Sequence, residues 1–341
     1  MSDLIPAIES FAKGAFATAA GLSTIGVGLL WYGQNYLIYP ASFPEGSRTN
    51  VPVPTQYDLP YEDLTLVTQD RVKIRCYLLV QRKELNLATK TTFDILPEAE
   101  DPPEKYAATR PTIIMFHGNG GNMGHRIPLA KIFYLKMRCN VMMVSYRGYG
   151  LSEGSPSEEG FQIDAQTALE YLLDHEVFAK TPIILYGQSI GGAVSIDLAS
   201  RNPETIRALI LENTFMTLPS LIPSALPFLS PFAFLCHQKW ESAKKLPKIP
   251  VTTPILMLSG LQDEVVPAEH MKELWEIAKT RRNTGSRAFF KKETEREYKE
   301  VNDGTGKSKF VEFPEGHHND TFIQAGYWSA VETFVAGLES S

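Results

Sequence analysis

Cysteine is nearly absent from this chain. Only Cys76, Cys139 and Cys236 occur, an odd number without metal-ligand or redox spacing, so a disulfide scaffold is excluded and buried free thiols are expected. Basic runs interleaved with aromatics are missing too. With 33 basic against 39 acidic side chains and a net charge of -6, the chain carries no electrostatic footprint for nucleic acid. Charge of either sign vanishes over residues 14–44. The single N-x-[ST] sequon is Asn319-Asp320-Thr321; with unpaired cysteines, this favours a cytosolic location for the folded part. What is present suffices for one sizeable core, since 341 residues, 43% of them hydrophobic, lie in the range of a single α/β domain.

The most informative stretch is Tyr186-Gly187-Gln188-Ser189-Ile190-Gly191, preceded by the apolar run Pro182-Ile183-Ile184-Leu185 and followed by Gly192-Ala193-Val194-Ser195. It reads as strand, G-x-S-x-G, helix. A serine on so sharp a turn is held with its Oγ exposed at a helix N-terminus, and the flanking glycines let strand and helix approach without a Cβ clash. Ser189 is therefore the candidate nucleophile.

An acid and a histidine are expected downstream, in that order. Pro254-Ile255-Leu256-Met257-Leu258-Ser259-Gly260 reads as a buried strand, and Asp263 follows it, with Glu264 as the alternative acid. The histidine comes from Phe313-Pro314-Glu315-Gly316-His317-His318-Asn319-Asp320-Thr321, where spacing alone does not separate His317 from His318. A metal is not expected, because no carboxylate or cysteine cluster stands at ligand spacing beside the pair, and no cofactor is implied. Upstream, the strand Thr112-Ile113-Ile114-Met115-Phe116 runs into His117-Gly118-Asn119-Gly120-Gly121-Asn122. Without G-K-[ST] or G-x-G-x-x-G in that loop, an oxyanion loop is favoured over a phosphate cradle. The backbone N–H groups of Ile190 and Asn119 are its expected donors. His117 and Arg147, in Ser145-Tyr146-Arg147-Gly148-Tyr149-Gly150, are read as bracing residues rather than reacting ones.

The N-terminus is expected to be a membrane anchor over residues 1–45, with a transmembrane helix at about 15–38, long enough for a hydrocarbon core of about 30 Å. Trp31, Tyr32, Tyr36 and Tyr39 at its end resemble an interfacial aromatic belt. The catalytic unit is expected over 55–341, opening with an antiparallel hairpin at 64–67 and 72–80. It carries a flexible insertion at 87–110, a Pro/Leu/Phe-rich cap at 214–250 and a charge-rich insertion at 281–307. Apolar cap residues, among them Phe228 and Phe232, offer surface for an acyl pocket or for the bilayer.

Together these features resemble the α/β-hydrolase superfamily over about residues 59–338. His117-Gly118-Asn119-x-Gly121-Asn122-x-Gly124-His125-Arg126, Gly187-Gln188-Ser189-Ile190-Gly191-Gly192 and Pro314-x-Gly316-x-His318-Asn319-Asp320-Thr321 resemble, more narrowly, the bud-emergence family of membrane-anchored hydrolases. The resemblance implies a mostly parallel central sheet with helices on both faces and a short cap. It assigns the base to the histidine directly before Asn-Asp-Thr, His318, and leaves His317 as a departure where the family often has Thr. It also implies a single-pass protein of the endomembrane system, facing a lipid bilayer, with an acylated protein or lipid as substrate. A serine esterase or thioesterase is the resulting expectation; the alternative is a membrane scaffold that keeps the fold without turnover.

Overall fold

A computed structural model of the protein describes residues 4–85, 103–281 and 307–339. Most of the two expected insertions, at 87–110 and 281–307, therefore lies outside the described residues. The ends that are described are packed rather than loose. The helix Pro103–Ala107 buries Ala107, and its Ala107 carbonyl accepts from Asn140 Nδ2 at 3.0 Å. The buried Arg281 guanidinium donates to the carbonyls of Ala278, Pro250 and Thr253. Its pKa is lowered by burial to about 10.

The central sheet holds eight strands: β1 Glu62–Val67, β2 Lys73–Leu79, β3 Thr112–Phe116, β4 Asn140–Ser145, β5 Ile183–Gln188, β6 Ile206–Glu212, β7 Ile255–Gly260 and β8 Lys309–Phe313, in the order β1-β2-β4-β3-β5-β6-β7-β8. The first two strands form the expected antiparallel hairpin, and β2 runs antiparallel to β4. From β4 onward every pairing is parallel. Strands β3 to β7 are buried along their whole length apart from Arg207 of β6. That is why they read as continuous apolar runs, since both faces of a parallel sheet are covered.

The covering helices are α1 Leu4–Ile38, α2 Pro103–Ala107, α3 Ile127–Leu135, α4 Glu158–Asp174, α5 Ile190–Arg201, α6 Leu218–Ala225, α7 Ser242–Lys245, α8 Ala268–Lys279 and α9 Tyr327–Glu339. One core joins the sheet to α4, α5 and α8 through residues such as Phe161, Val194 and Leu274. The opposite core joins it to α3 and α9 through Phe133 and Val331. The register aligns Phe116 with Gly187, and Gly187 with Leu211, so the C-terminal ends of β3, β5 and β6 are level. The loops that leave these ends converge on one edge, where open α/β sheets place their ligands.

α1 includes a 24-residue apolar stretch, Ala15–Ile38, with mean hydropathy 1.4, whose residues are exposed or half-buried apart from Gln34. Its last turns, however, are built into the folded body. Gln34 Oε1 accepts from the His237 backbone N–H at 2.8 Å, and Asn35 Nδ2 donates to the Pro156 carbonyl at 3.2 Å. The aromatic cluster at this end divides. Tyr32 and Tyr36 are exposed, as a belt requires, whereas Tyr39 is 3% exposed. The Tyr39 hydroxyl donates to Gln238 Oε1 at 2.9 Å and accepts from Trp240 Nε1 at 3.0 Å. Tyr39 is thus a core residue, because a buried polar partner on the cap offers its hydroxyl what water would otherwise supply.

Candidate active site

The turn between β5 and α5 holds Ser189 at φ 55°, ψ -120°, a region that non-glycine residues avoid and that persists only where surroundings impose it. Those surroundings are visible. The Ser189 N–H donates to the Glu212 carbonyl at 2.9 Å, and the Ser189 carbonyl accepts from Thr214 Oγ1 at 2.7 Å. The glycines at either side have a steric reason. A Cβ at Gly187 would stand 2.2 Å from the Gly191 carbonyl oxygen, and one at Gly191 would stand 2.0 Å from that of Phe116. Strand, turn and helix therefore close on Ser189 only with glycine at both positions.

Asp263 lies in the loop after β7. Its Oδ1 accepts from the backbone N–H groups of Val265 and Val266 at 2.9 and 2.7 Å, which fixes the carboxylate plane. Its Oδ2 meets His318 Nδ1 at 2.8 Å, with side-chain exposures of 1% and 9%. A carboxylate only accepts, so Nδ1 is the donor of this pair, and in the neutral ring the acceptor nitrogen is Nε2. His317 is placed differently. Its side chain is 54% exposed and its Nδ1 faces Glu264 Oε2 at 3.3 Å, away from the buried pair.

The loop that carries His318 is clamped by two residues that sequence reasoning passed over. Gln188 Nε2 donates to the His318 carbonyl at 3.1 Å. Asn213, at the end of β6 with φ 45°, donates through Nδ2 to Thr321 Oγ1 at 2.9 Å and accepts at Oδ1 from the Gly260 N–H at 2.8 Å. Below them sits the fully buried Glu212, whose Oε2 accepts from the hydroxyls of Tyr186 and Tyr327, each at 2.6 Å. Burial pushes its carboxyl pKa up, opposed by the two phenol donors. An acidic residue ending an apolar strand was the only sequence signal for this cluster.

On the other side of Ser189, Asn119 has both polar atoms of its side chain engaged within the protein. Oδ1 accepts from the Tyr149 hydroxyl at 2.9 Å and Nδ2 donates to the Ile38 carbonyl. Its contribution to an oxyanion site is thus confined to the main-chain N–H. Ile190 is the first residue of α5, where helix geometry leaves N–H groups without an intrahelical acceptor. Arg147 braces the neighbouring loop by donating to Asp70 Oδ2 at 2.6 Å and to Asp164 Oδ1 at 2.9 Å. The bond from Arg147, helped by one from the Thr68 hydroxyl, holds the Asp70 carboxyl down at about 2.

Ser189, Ile190, Asn119 and His318 all line one cavity of about 490 Å³. Its apolar walls come chiefly from Leu218, Leu221 and Ile222 of the cap and from Leu37 and Phe43 at the end of α1 and the segment after it, while His125, Arg126 and Asn319 add polar lining. Phe228 does not line it and is 73% exposed. Among the described residues, no group of three or more potential metal ligands occurs.

His117 opens the glycine-rich loop after β3, with Nδ1–H donating to the Gly118 carbonyl at 2.7 Å. Its ring is buried against Tyr146 and Tyr149. Burial lowers its pKa from 6.5 to about 3. An unfolded histidine takes up a proton as pH falls through 6.5, while the folded one does not until about 3, so this contribution is present above pH 6.5 and lost through the acid range. The free energy of unfolding is expected to fall more steeply with acid for the parent than for His117→Phe, by about 1.4 kcal/mol per pH unit between those limits. Urea titrations at a series of pH values check this, and parallel slopes would refute it.

A serine on a strained strand-to-helix turn, beside a buried His–Asp pair at the C-terminal edge of a doubly wound sheet, defines the α/β-hydrolase class. The sequence profile of the alpha/beta hydrolase fold matches residues 111–233. The chain belongs to the α/β-hydrolase family of Protein bem46 of Schizosaccharomyces pombe, to which it is 39% identical over 98% of its length and 96% of the relative's. It is 35% identical to the Uncharacterized membrane protein YNL320W of Saccharomyces cerevisiae, over 92% of this chain and 93% of that one. Among solved structures, the Pyrococcus furiosus esterase Pf2001 shares the fold at TM-score 0.59 and 16% identity, covering 85% of this chain and 95% of its own.

Proposed function

We propose that this protein is a membrane-anchored serine hydrolase that cleaves an acyl ester or thioester. The observation that carries the reading is the buried His318–Asp263 pair lining, with Ser189, a cavity whose walls are otherwise largely apolar. Ser189 Oγ attacks the acyl carbonyl while His318 Nε2 takes its proton. The N–H groups of Ile190 and Asn119 receive the developing oxyanion. Collapse of the tetrahedral adduct breaks the bond to the leaving alcohol or thiol, which departs with the proton from His318. Water then repeats the sequence in reverse and frees the acid. Asp263 holds the tautomer and stabilises the imidazolium throughout. Support for the anchor comes from the exposed apolar stretch Ala15–Ile38 and from the word membrane in the name of the yeast relative. A fluorophosphonate adduct mapped by mass spectrometry tests the assignment: it belongs on Ser189, and an adduct elsewhere overturns it.

The way α1 joins the body sets where a soluble form can be cut. Deleting residues 1–28 removes most of the apolar stretch yet keeps Gln34, Asn35 and Tyr39 with their partners. This form is expected to remain in solution without detergent and to hydrolyse a short ester at the parent rate within about twofold. Deleting residues 1–45 also removes the buried Tyr39 and part of the cavity wall, and is expected to cost about 3 kcal/mol or more of stability. Sedimentation after an alkaline wash, thermal melts and acetyl-ester turnover compare the two.

A further inference from the structure

A second void of about 60 Å³ lies between the last three turns of α1 and the cap, walled by Leu30 of the helix and by Leu229, Phe232 and Leu235 of the cap. Four aliphatic residues, Leu37, Ile38, Ile222 and Leu226, line both this crevice and the cavity that holds Ser189. The two spaces are therefore neighbours across side chains that belong to each. The polar side chains of the crevice are already engaged. Gln34 donates through Nε2 to the Trp31 and Leu235 carbonyls and accepts at Oε1 from the His237 N–H. The Cys236 thiol donates to the Gln238 carbonyl. The crevice side-chain donors are thus spent within the protein and the rest of its lining is aliphatic or aromatic, so hydrocarbon gains most by filling the space.

Direction adds to chemistry. Leu30 stands eight residues before Ile38, about 12 Å further along the helix axis, within the apolar stretch Ala15–Ile38. The cap side of the crevice is flanked by Phe228 and Phe234, exposed at 73% and 75%. The path from Ser189 past Leu37 toward Leu30 thus runs from the reacting atoms to the part of the molecule most suited to hydrocarbon.

We propose that this crevice between α1 and the cap binds the acyl chain of a lipid ester lodged in the bilayer. The chain enters sideways and brings its carbonyl to Ser189. This rests on the reading of Ser189 as nucleophile and of α1 as membrane-embedded, and it names the substrate class of that same site.

The test uses the full chain in phosphatidylcholine vesicles and a hexadecyl fluorophosphonate with a diazirine at the chain end. The expected result is an adduct on Ser189 whose irradiated tail crosslinks to peptides containing Leu30–Leu37 of α1 and Leu229–Cys236 of the cap. Leu229→Trp is expected to slow labelling by this probe roughly tenfold and labelling by an ethyl fluorophosphonate less than twofold. An adduct on Ser189 whose tail crosslinks only near Phe43 or Val265 overturns the crevice and leaves the nucleophile standing. Absence of a Ser189 adduct with either probe overturns the nucleophile and the crevice with it. In competition, a monoacyl glycerolipid in the vesicles is expected to protect Ser189; protection by a soluble S-acylated peptide instead would refute the lipid assignment.

Discussion

Replacing Ser189 with alanine is expected to abolish fluorophosphonate labelling and to lower ester hydrolysis by about five orders of magnitude, with little change in thermal stability. On the reading of Ser189 as nucleophile, the large loss follows from removing the hydroxyl that would form the acyl bond. The small change in stability follows from how the turn is held, because the bonds that fix it use the Ser189 backbone N–H and carbonyl rather than its hydroxyl. Both readouts are needed. Retained labelling with an unchanged melt would show that another side chain is the nucleophile.

The two adjacent histidines provide the second large effect. His318→Ala is expected to lower kcat by three or more orders of magnitude with KM nearly unchanged, since on the proposed mechanism it removes the nitrogen that moves the proton but little of the cavity wall. His317→Ala is expected to cost less than about fivefold, because an exposed pair with Glu264 at 3.3 Å contributes little in water. Steady-state kinetics on one soluble ester separates the variants. The reverse ranking would mean that the catalytic histidine is one residue earlier.

Much of this architecture can be read in the chain because its causes are local. The glycines beside Ser189 answer to backbone clashes within a few residues, and buried parallel strands leave uninterrupted apolar runs. Asp263 and the His317–His318 pair could be located because each follows such a run. The features that escaped reading are long-range. Asn213 and Gln188 reach a loop more than a hundred residues away, and nothing in their own neighbourhood marks them. Tyr39 was misjudged for the same reason, since an aromatic residue at the end of an apolar stretch looks interfacial until its partners Gln238 and Trp240, about two hundred residues on, are seen. The exposure of Phe228 depends on the course of the proline-rich cap, which composition alone does not convey.

The fastening of α1 to the body has a consequence for reach. Because Asn35 binds the Pro156 carbonyl while Gln34 and Tyr39 bind the cap segment at His237 and Gln238, the helix is no tether on which the hydrolase swings. On the membrane-anchored reading it is a stem of set height, and Ser189 stands at one level above the leaflet. A scissile carbonyl must then present itself at that level to be cut. Substrates would be sorted by how far their reactive bond protrudes from the lipid surface, before any pocket has judged their shape.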